Sequence, residues 1–225
     1  MGLRREGFDV VIWDFNGTLV DDLDLVVRAV NLQLAARSLP LLTVDRYREV
    51  FGFPIAEYYR RIGFDLSAEP IEQLSAEFHA AYAPGLMGCP LHPGVMDALE
   101  QFRAFGARQF VLSAMEEKLL HSALARLGIK RFFEALYGLA DRNAASKLKR
   151  GRELITDYRI SPQTALLIGD TDHDAEVAEA LGISVALVGA GHQSIDRLQT
   201  VGCPVYASLE QLTPQFSAVS KASSA

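Results

Sequence analysis

Three apolar runs in this 225-residue sequence each end on a residue able to attack or bind a charged group. Phe8–Trp13 stops at Asp14, Gln109–Leu112 at Ser113, and Thr164–Ile168 at Gly169-Asp170. Ligands of open α/β sheets bind beyond the carboxyl ends of the strands. If the three runs are parallel neighbours, their terminal side chains converge on one crevice, joined by Asn16, Thr18 and Asp174. Each residue also has a plainer reading. Asn16-Gly17 is a type I′ hairpin signal, and Asp170 and Asp174 can cap a following helix. Ser113 can cap another helix, a role compatible with holding phosphate at its N-terminus. Ser113 lacks the Gly-x-Ser-x-Gly elbow of a serine hydrolase. Gly189-Ala190-Gly191 also follows an apolar run, but Ser194 stands where a dinucleotide fingerprint needs its third glycine.

The scaffold that would position these residues is legible as an alternation. Runs of four to six apolar residues without a polar period fit strands covered on both faces, as in a parallel sheet. Ser184–Val188 is a further such run, and Glu134–Tyr137 and Cys203–Tyr206 are weaker ones. Amphipathic helical patterns over Val95–Phe105, Glu116–Leu127, Gly151–Tyr158 and Asp174–Leu181 separate them, with Gly128 and Gly182 as stops. Strand, helix, strand in succession implies right-handed crossovers and a doubly wound parallel-sheet, Rossmann-like α/β core. From Asp22 to Cys89 the pattern is helical only, and it closes at Pro90-Leu91-His92-Pro93-Gly94. The expected organisation is a core of residues 1–21 and 90–212, an inserted α-helical cap over 22–89, and a fraying tail from 213 to 225.

Composition narrows the function. Twenty-two basic residues against 28 acidic ones give a net charge of −6, which argues against a nucleic-acid binder. No apolar run reaches the ~18–20 residues of a membrane span, and the basic, then apolar start ends in Asp14 rather than in a cleavage signal. Cys89 and Cys203 are too few for a disulfide framework and read as reduced thiols in a cytoplasmic protein. His79, His92, His121 and His192 show no ligand spacing and read as surface or hinge residues.

In chain order, Trp13-Asp14-Phe15-Asn16-Gly17-Thr18-Leu19-Val20-Asp21, Leu112-Ser113, a lysine near Ser146, and Gly169-Asp170-Thr171-Asp172-His173-Asp174 resemble the four motifs of the haloacid dehalogenase-like (HAD) hydrolases. The helical insertion and Leu91-His92-Pro93-Gly94-Val95 at its return resemble the phosphoglycolate phosphatase-like branch. The resemblance implies that Asp14 attacks a phosphate monoester, forming an aspartyl-phosphate and dividing one hard step into two. It implies that Asp14, the main-chain carbonyl of Asn16, Asp170 and Asp174 form the site for Mg2+, a hard cation suited to oxygen ligands. Three carboxylates so close need a cation, or one must protonate. Ser113 and the N–H of Ala114 would bind phosphoryl oxygens, and Gly17 and Thr18 would shape the loop. Lys147 is preferred over Lys149 as the site lysine, from the Ser-Lys-x-x-x-Gly pattern of relatives; the common Lys-Pro form is absent. The whole assignment requires Asp14 and Asp170 to lie within about 10 Å, the most that one ion can bridge.

One position departs from the pattern. Most phosphatases of the family carry Asp where this chain has Asn16, to protonate the leaving alcohol and then activate water. A carboxamide hydrogen-bonds but exchanges no proton near neutral pH. General acid–base catalysis is typically worth 10²–10⁴-fold, so the expectation is slow turnover, or an acid/base borrowed from Asp21, Asp172 or His173. The expected function is Mg2+-dependent hydrolysis of small phosphorylated metabolites. A module that binds such metabolites or partner proteins without turnover is the alternative. Haloacid dehalogenation is a third reading, against which Asp170 and Asp174 tell.

Overall fold

Val10, Val11, Ile12 and Trp13 are β-branched or aromatic and entirely buried, the composition of a strand covered on both faces. They form β1 of the computed structural model, which describes residues 7–139 and 147–217. Four helices follow: α1 (Leu23–Ala36), α2 (Val44–Val50), α3 (Ile55–Arg61) and α4 (Ile71–Leu86). The alternation then resumes with α5 (Val95–Ala104), β2 (Arg108–Glu116), α6 (Glu117–Arg126), β3 (Ala135–Leu139) and α7 (Lys147–Asp157). It continues through β4 (Ala165–Gly169), α8 (Asp172–Leu181), β5 (Ser184–Val188), α9 (Ile195–Gln199) and β6 (Val205–Tyr206). The six strands make one parallel sheet in the order β3-β2-β1-β4-β5-β6.

Alternate residues of β1 serve two apolar layers. Val11 and Trp13 join a cluster with Phe15, Leu34, Leu74, Leu99 and Leu120, which takes in α1 and α4 as well as α5 and α6. Val10 and Ile12 join Phe110, Leu154 and Leu181 on the opposite face. Trp13 pairs with Val111 and Ile168 in the neighbouring strands, so β1 stops beside both and the residues beyond share one edge. Strand order turns outward on either side of β1, which places the switch point at that edge.

Several local expectations shift. Asn16-Gly17 is not a hairpin turn: β1 pairs only with parallel neighbours, and Asn16 instead bridges Val20 within a tight turn. β2 runs to Glu116, past the predicted stop at Leu112, with an irregular register against β3 after Leu112. Ser113 therefore lies within β2 and does not cap α6, whose N-cap is Glu116. α8 starts at Asp172 because Thr171 and Asp174 form a capping box around its first turn. At the other end Thr213 is buried, Pro214–Ser217 is helical, and the Phe216 ring sits 5.9 Å from Phe8 and 5.3 Å from Phe102. The part of the expected tail beyond 217 falls outside the described residues. No helix among the described residues is long and apolar enough to cross a membrane.

Candidate active site

Carboxylate oxygens of Asp14, Asp170 and Asp174 lie within 4.8 Å of one another. That is well inside the ~10 Å that one ion can bridge. Each comes from a different structural device. Asp14 is the first residue after β1, its N–H donating to the Ile168 carbonyl at 2.8 Å. Asp170 follows β4 directly. Asp174 sits in the first turn of α8, where its Oδ2 accepts from the N–H groups of Asp170 and Thr171 and from the Thr171 hydroxyl. One oxygen of Asp174 thus holds the helix start, and the other meets the ammonium of Lys147 at 2.5 Å.

Lys147 opens α7, is almost fully buried, and also donates to Asp14 Oδ1. Lys149 is exposed and stands 4.0 Å from Glu153. Burial alone would lower the Lys147 ammonium, but Asp14 and Asp174 reverse this and hold it charged. Burial and the neighbouring carboxylates push Asp14 up to about 8 against the pull of Lys147. Burial raises Asp170 to about 6, whereas Lys147 and Thr171 overcome burial and keep Asp174 low. Three buried carboxylates around a single ammonium leave excess negative charge, the condition that a divalent, oxygen-seeking cation relieves.

Asp170 is held by the Thr18 hydroxyl at 2.9 Å and the His192 N–H at 2.7 Å. Gly17 and Gly191 crowd the same carboxylate: a Cβ on either would collide with its Oδ2. Gly17 also has φ +71°, a left-handed conformation that favours glycine. Ser113 is buried at the same edge, its hydroxyl accepting from the Met115 N–H at 3.1 Å. Ala114 is exposed, and both residues border the cavity.

Asn16 has partners that the sequence reading missed. Its amide donates to Asp22 Oδ2 at 2.8 Å and to the Tyr82 hydroxyl at 2.7 Å. Tyr82 in turn donates to Asp22 Oδ2 at 2.6 Å. Oδ1 of Asp22 accepts the Gly17 N–H at 3.0 Å and faces His192 Nε2 at 3.2 Å, while His192 Nδ1 meets the Tyr47 hydroxyl at 3.1 Å. Burial would raise Asp22, but His192, Tyr82 and Asn16 lower it. Burial would lower His192, but Asp22 chiefly raises it to about 9, so the pair is ionic at neutral pH. The amide nitrogen of Asn16 is thus held by two partners, and the residue borders the cavity.

His192 is therefore not a surface or hinge residue; it is buried between two acids. A histidine directly after Gly189-Ala190-Gly191, at the carboxyl edge of the sheet, was the available signal. His92 does lie at the return from the helices, and it too is buried. Of the acid/base candidates, Asp21 is exposed and Asp172 is bonded to Arg197 and Gln193. His173 borders the cavity, stacked on Phe53 at 4.4 Å and beside Glu176. Cys89 and Cys203 are free thiols.

The carboxylates open into a cavity of about 330 Å³ between the sheet edge and the four helices. Arg48 ties the helices to the loop after β5, donating to the Ala190 and Gly191 carbonyls at 2.7 and 2.9 Å.

The haloacid dehalogenase-like hydrolase family profile matches residues 11–188. The phosphoglycolate phosphatase of Caulobacter vibrioides is 30% identical over 201 residues, covering 85% of this chain and 83% of that protein. The tyrosine-protein kinase PtkA of Mycobacterium tuberculosis is 28% identical over 212 residues, covering 92% and 72%. A haloacid dehalogenase-like hydrolase from Streptococcus pneumoniae shares the fold, with a TM-score of 0.81 at 19% identity over 93% of this chain and 98% of that one. With the motifs in order on one sheet edge, the chain belongs to the haloacid dehalogenase-like hydrolase family, in its phosphoglycolate phosphatase-like branch.

Proposed function

We propose that the protein is a Mg2+-dependent hydrolase of small phosphate monoesters that works through an aspartyl-phosphate on Asp14. The observation that carries this reading is the meeting of Asp14, Asp170 and Asp174 around Lys147 at the sheet's switch point. Asp14, Asp170, Asp174 and the main-chain carbonyl of Asn16 would hold the ion. When bound, Mg2+ offsets phosphate charge so that an anionic nucleophile can approach.

The residues then divide the work. Lys147 draws Asp14 toward its carboxylate form against burial and orients it, and would balance charge between it and the phosphoryl group. Ser113 and the Ala114 N–H bind phosphoryl oxygens, and Gly17 and Thr18 shape the loop beneath them. Asp14 attacks phosphorus, the bond to the leaving oxygen breaks, and water later cleaves the aspartyl-phosphate to restore the carboxylate. Asn16 orients groups through its carbonyl oxygen but moves no proton, so the second step is slow. Residues 22–89 act as the cap that excludes water from the reaction.

Asn16 also supports a second reading, a module that binds phosphorylated metabolites without turnover. One experiment separates the two. Mixed rapidly with a chromogenic aryl phosphate and Mg2+, the hydrolase gives a burst of phenol equal to the enzyme concentration, followed by a slow steady rate. Phosphate is recovered on the peptide containing Asp14, and Asp14→Asn removes burst and adduct together. Saturable orthophosphate binding with neither burst nor turnover would establish the binding module instead.

A further inference from the structure

Much of the cavity lining is aromatic. Phe51, Phe53, Tyr58, Phe78 and Tyr82 contribute to it, together with Val26, Val30 and Met115. Phe78 lies parallel to Tyr82 with centroids 5.3 Å apart, and Phe51 meets Tyr58 edge-on at 5.3 Å. The volume of about 330 Å³ is at the small end for ligand pockets.

This lining offers, among the described residues, no guanidinium or unengaged ammonium to a second anionic group. Among the described residues no arginine lines the cavity, and its one lysine, Lys147, is bound to Asp14 and Asp174. The Arg48 guanidinium is spent on two main-chain carbonyls. His192 is tied to Asp22 and Tyr47, and the remaining polar lining includes the imidazoles of His79 and His173 and the carboxylate of Glu116. Among the described residues, a leaving group that carries a carboxylate or second phosphate would meet rings, imidazoles and the Glu116 carboxylate, with no arginine to pair it.

Leaving-group chemistry gives an independent constraint. An alkoxide, about as basic as hydroxide, must be protonated as it departs, and Asn16 has no proton to give. A phenolate, whose conjugate acid has a pKa of about 10, departs as the anion and takes its proton from solvent.

We infer that this site is built for small aryl phosphate monoesters, whose ring stacks in the aromatic wall while the phosphoryl group meets Asp14. The inference rests on the phosphatase reading above. The chemistry balances without an acid at position 16. Asp14 forms an O–P bond, the P–O(aryl) bond breaks, and its electron pair leaves on the phenolate. Water then attacks phosphorus, releasing Asp14 as carboxylate and giving phenol and hydrogen phosphate in all.

The test compares steady-state kcat/KM, with Mg2+, for phenyl phosphate, 2-phosphoglycolate and hexafluoroisopropyl phosphate. The last is an alkyl ester with a leaving alcohol about as acidic as phenol, so it separates ring recognition from leaving-group acidity. The expected order places phenyl phosphate at least about 10-fold above the fluoroalkyl ester and at least about 100-fold above phosphoglycolate. Phe53→Leu and Phe78→Leu, which keep the wall apolar, should each narrow the phenyl-to-fluoroalkyl ratio about 2- to 10-fold. A phosphotyrosyl peptide distinguishes sources: hydrolysis as fast as phenyl phosphate assigns a protein-borne ester, and no hydrolysis assigns a free one. Phosphoglycolate or the fluoroalkyl ester turning over as fast as phenyl phosphate overturns the aryl assignment and leaves the hydrolase reading standing. Absence of turnover and burst with every ester overturns both.

Discussion

The carboxamide nitrogen of Asn16 lies 2.8 Å from Oδ2 of Asp22, so a neighbouring carboxylate holds Asn16 in position. Placing the acid of the proposed mechanism there is consequently not a one-residue change. Asn16→Asp alone would set a half-buried carboxylate against the buried one of Asp22, and one of them would stay protonated. The exchange Asn16→Asp with Asp22→Asn keeps one acid and one amide in contact. It should raise kcat on alkyl phosphates by about 10²–10⁴, and less on aryl ones. An exchange variant no faster than wild type on any alkyl ester would show that position 16 does not limit turnover.

Metal and protons compete at this site, and the direction can be worked out. Asp14 at about 8 and Asp170 at about 6 are raised above their ordinary 3.8. The folded state then binds more protons than the unfolded one, and stability of the metal-free protein falls as pH rises from about 4 to about 8. His192, raised to about 9, adds a loss between about 6.5 and 9. Asp22 and Asp174 are lowered, so their contribution is lost only under acid, below about 4. Chelator-treated protein should therefore melt at progressively lower temperature from pH 5 to pH 9. The increase in Tm on adding Mg2+ should grow over the same range, because fewer protons then have to be displaced. An increment that shrinks with rising pH would contradict the three-carboxylate metal site.

Lys147 and Lys149 stand two residues apart with opposite fates. Lys147→Met should lower kcat/KM by about 10²–10³ and weaken folding, since two buried acids lose their counter-charge. Lys149→Met should stay within about twofold in both respects, as expected of an exposed pair. Equal losses from the two substitutions would remove Lys147 from its assigned role.

Gly191→Ala probes the wall behind the three carboxylates proposed to hold the ion, without adding a charge. The new Cβ would displace Asp170 Oδ2 and press on the Gly17 carbonyl. Mg2+ affinity should fall about 10- to 100-fold, the usual cost of disturbing the shell that orients metal ligands, while circular dichroism stays native. Titration calorimetry with Mg2+ checks this, and an unchanged affinity would place the ion elsewhere.

Asp14, Ser113 and Asp170 were legible in the sequence because an apolar run that stops at a polar residue marks the carboxyl edge of a buried strand. Lys147 was legible only through resemblance. Asp22 stood only as the boundary of the helical stretch; its side chain makes no cap bond and turns to Asn16 and His192. Tyr82 and His192 lie 60 and 170 residues from Asp22 in sequence, and no local period connects such partners. The hairpin reading of Asn16-Gly17 failed for the converse reason. Two residues specify a turn, whereas strand pairing is decided by the whole sheet.

A single apolar cluster runs from Val11 and Trp13 in the sheet through Leu34 and Leu74 in the helical insertion. The insertion thus shares its interior with one face of the sheet, whose other face packs a layer of its own. Heating should produce one calorimetric peak, with helical and sheet signals vanishing together. Opening the cavity by melting the insertion alone would have to break that shared cluster.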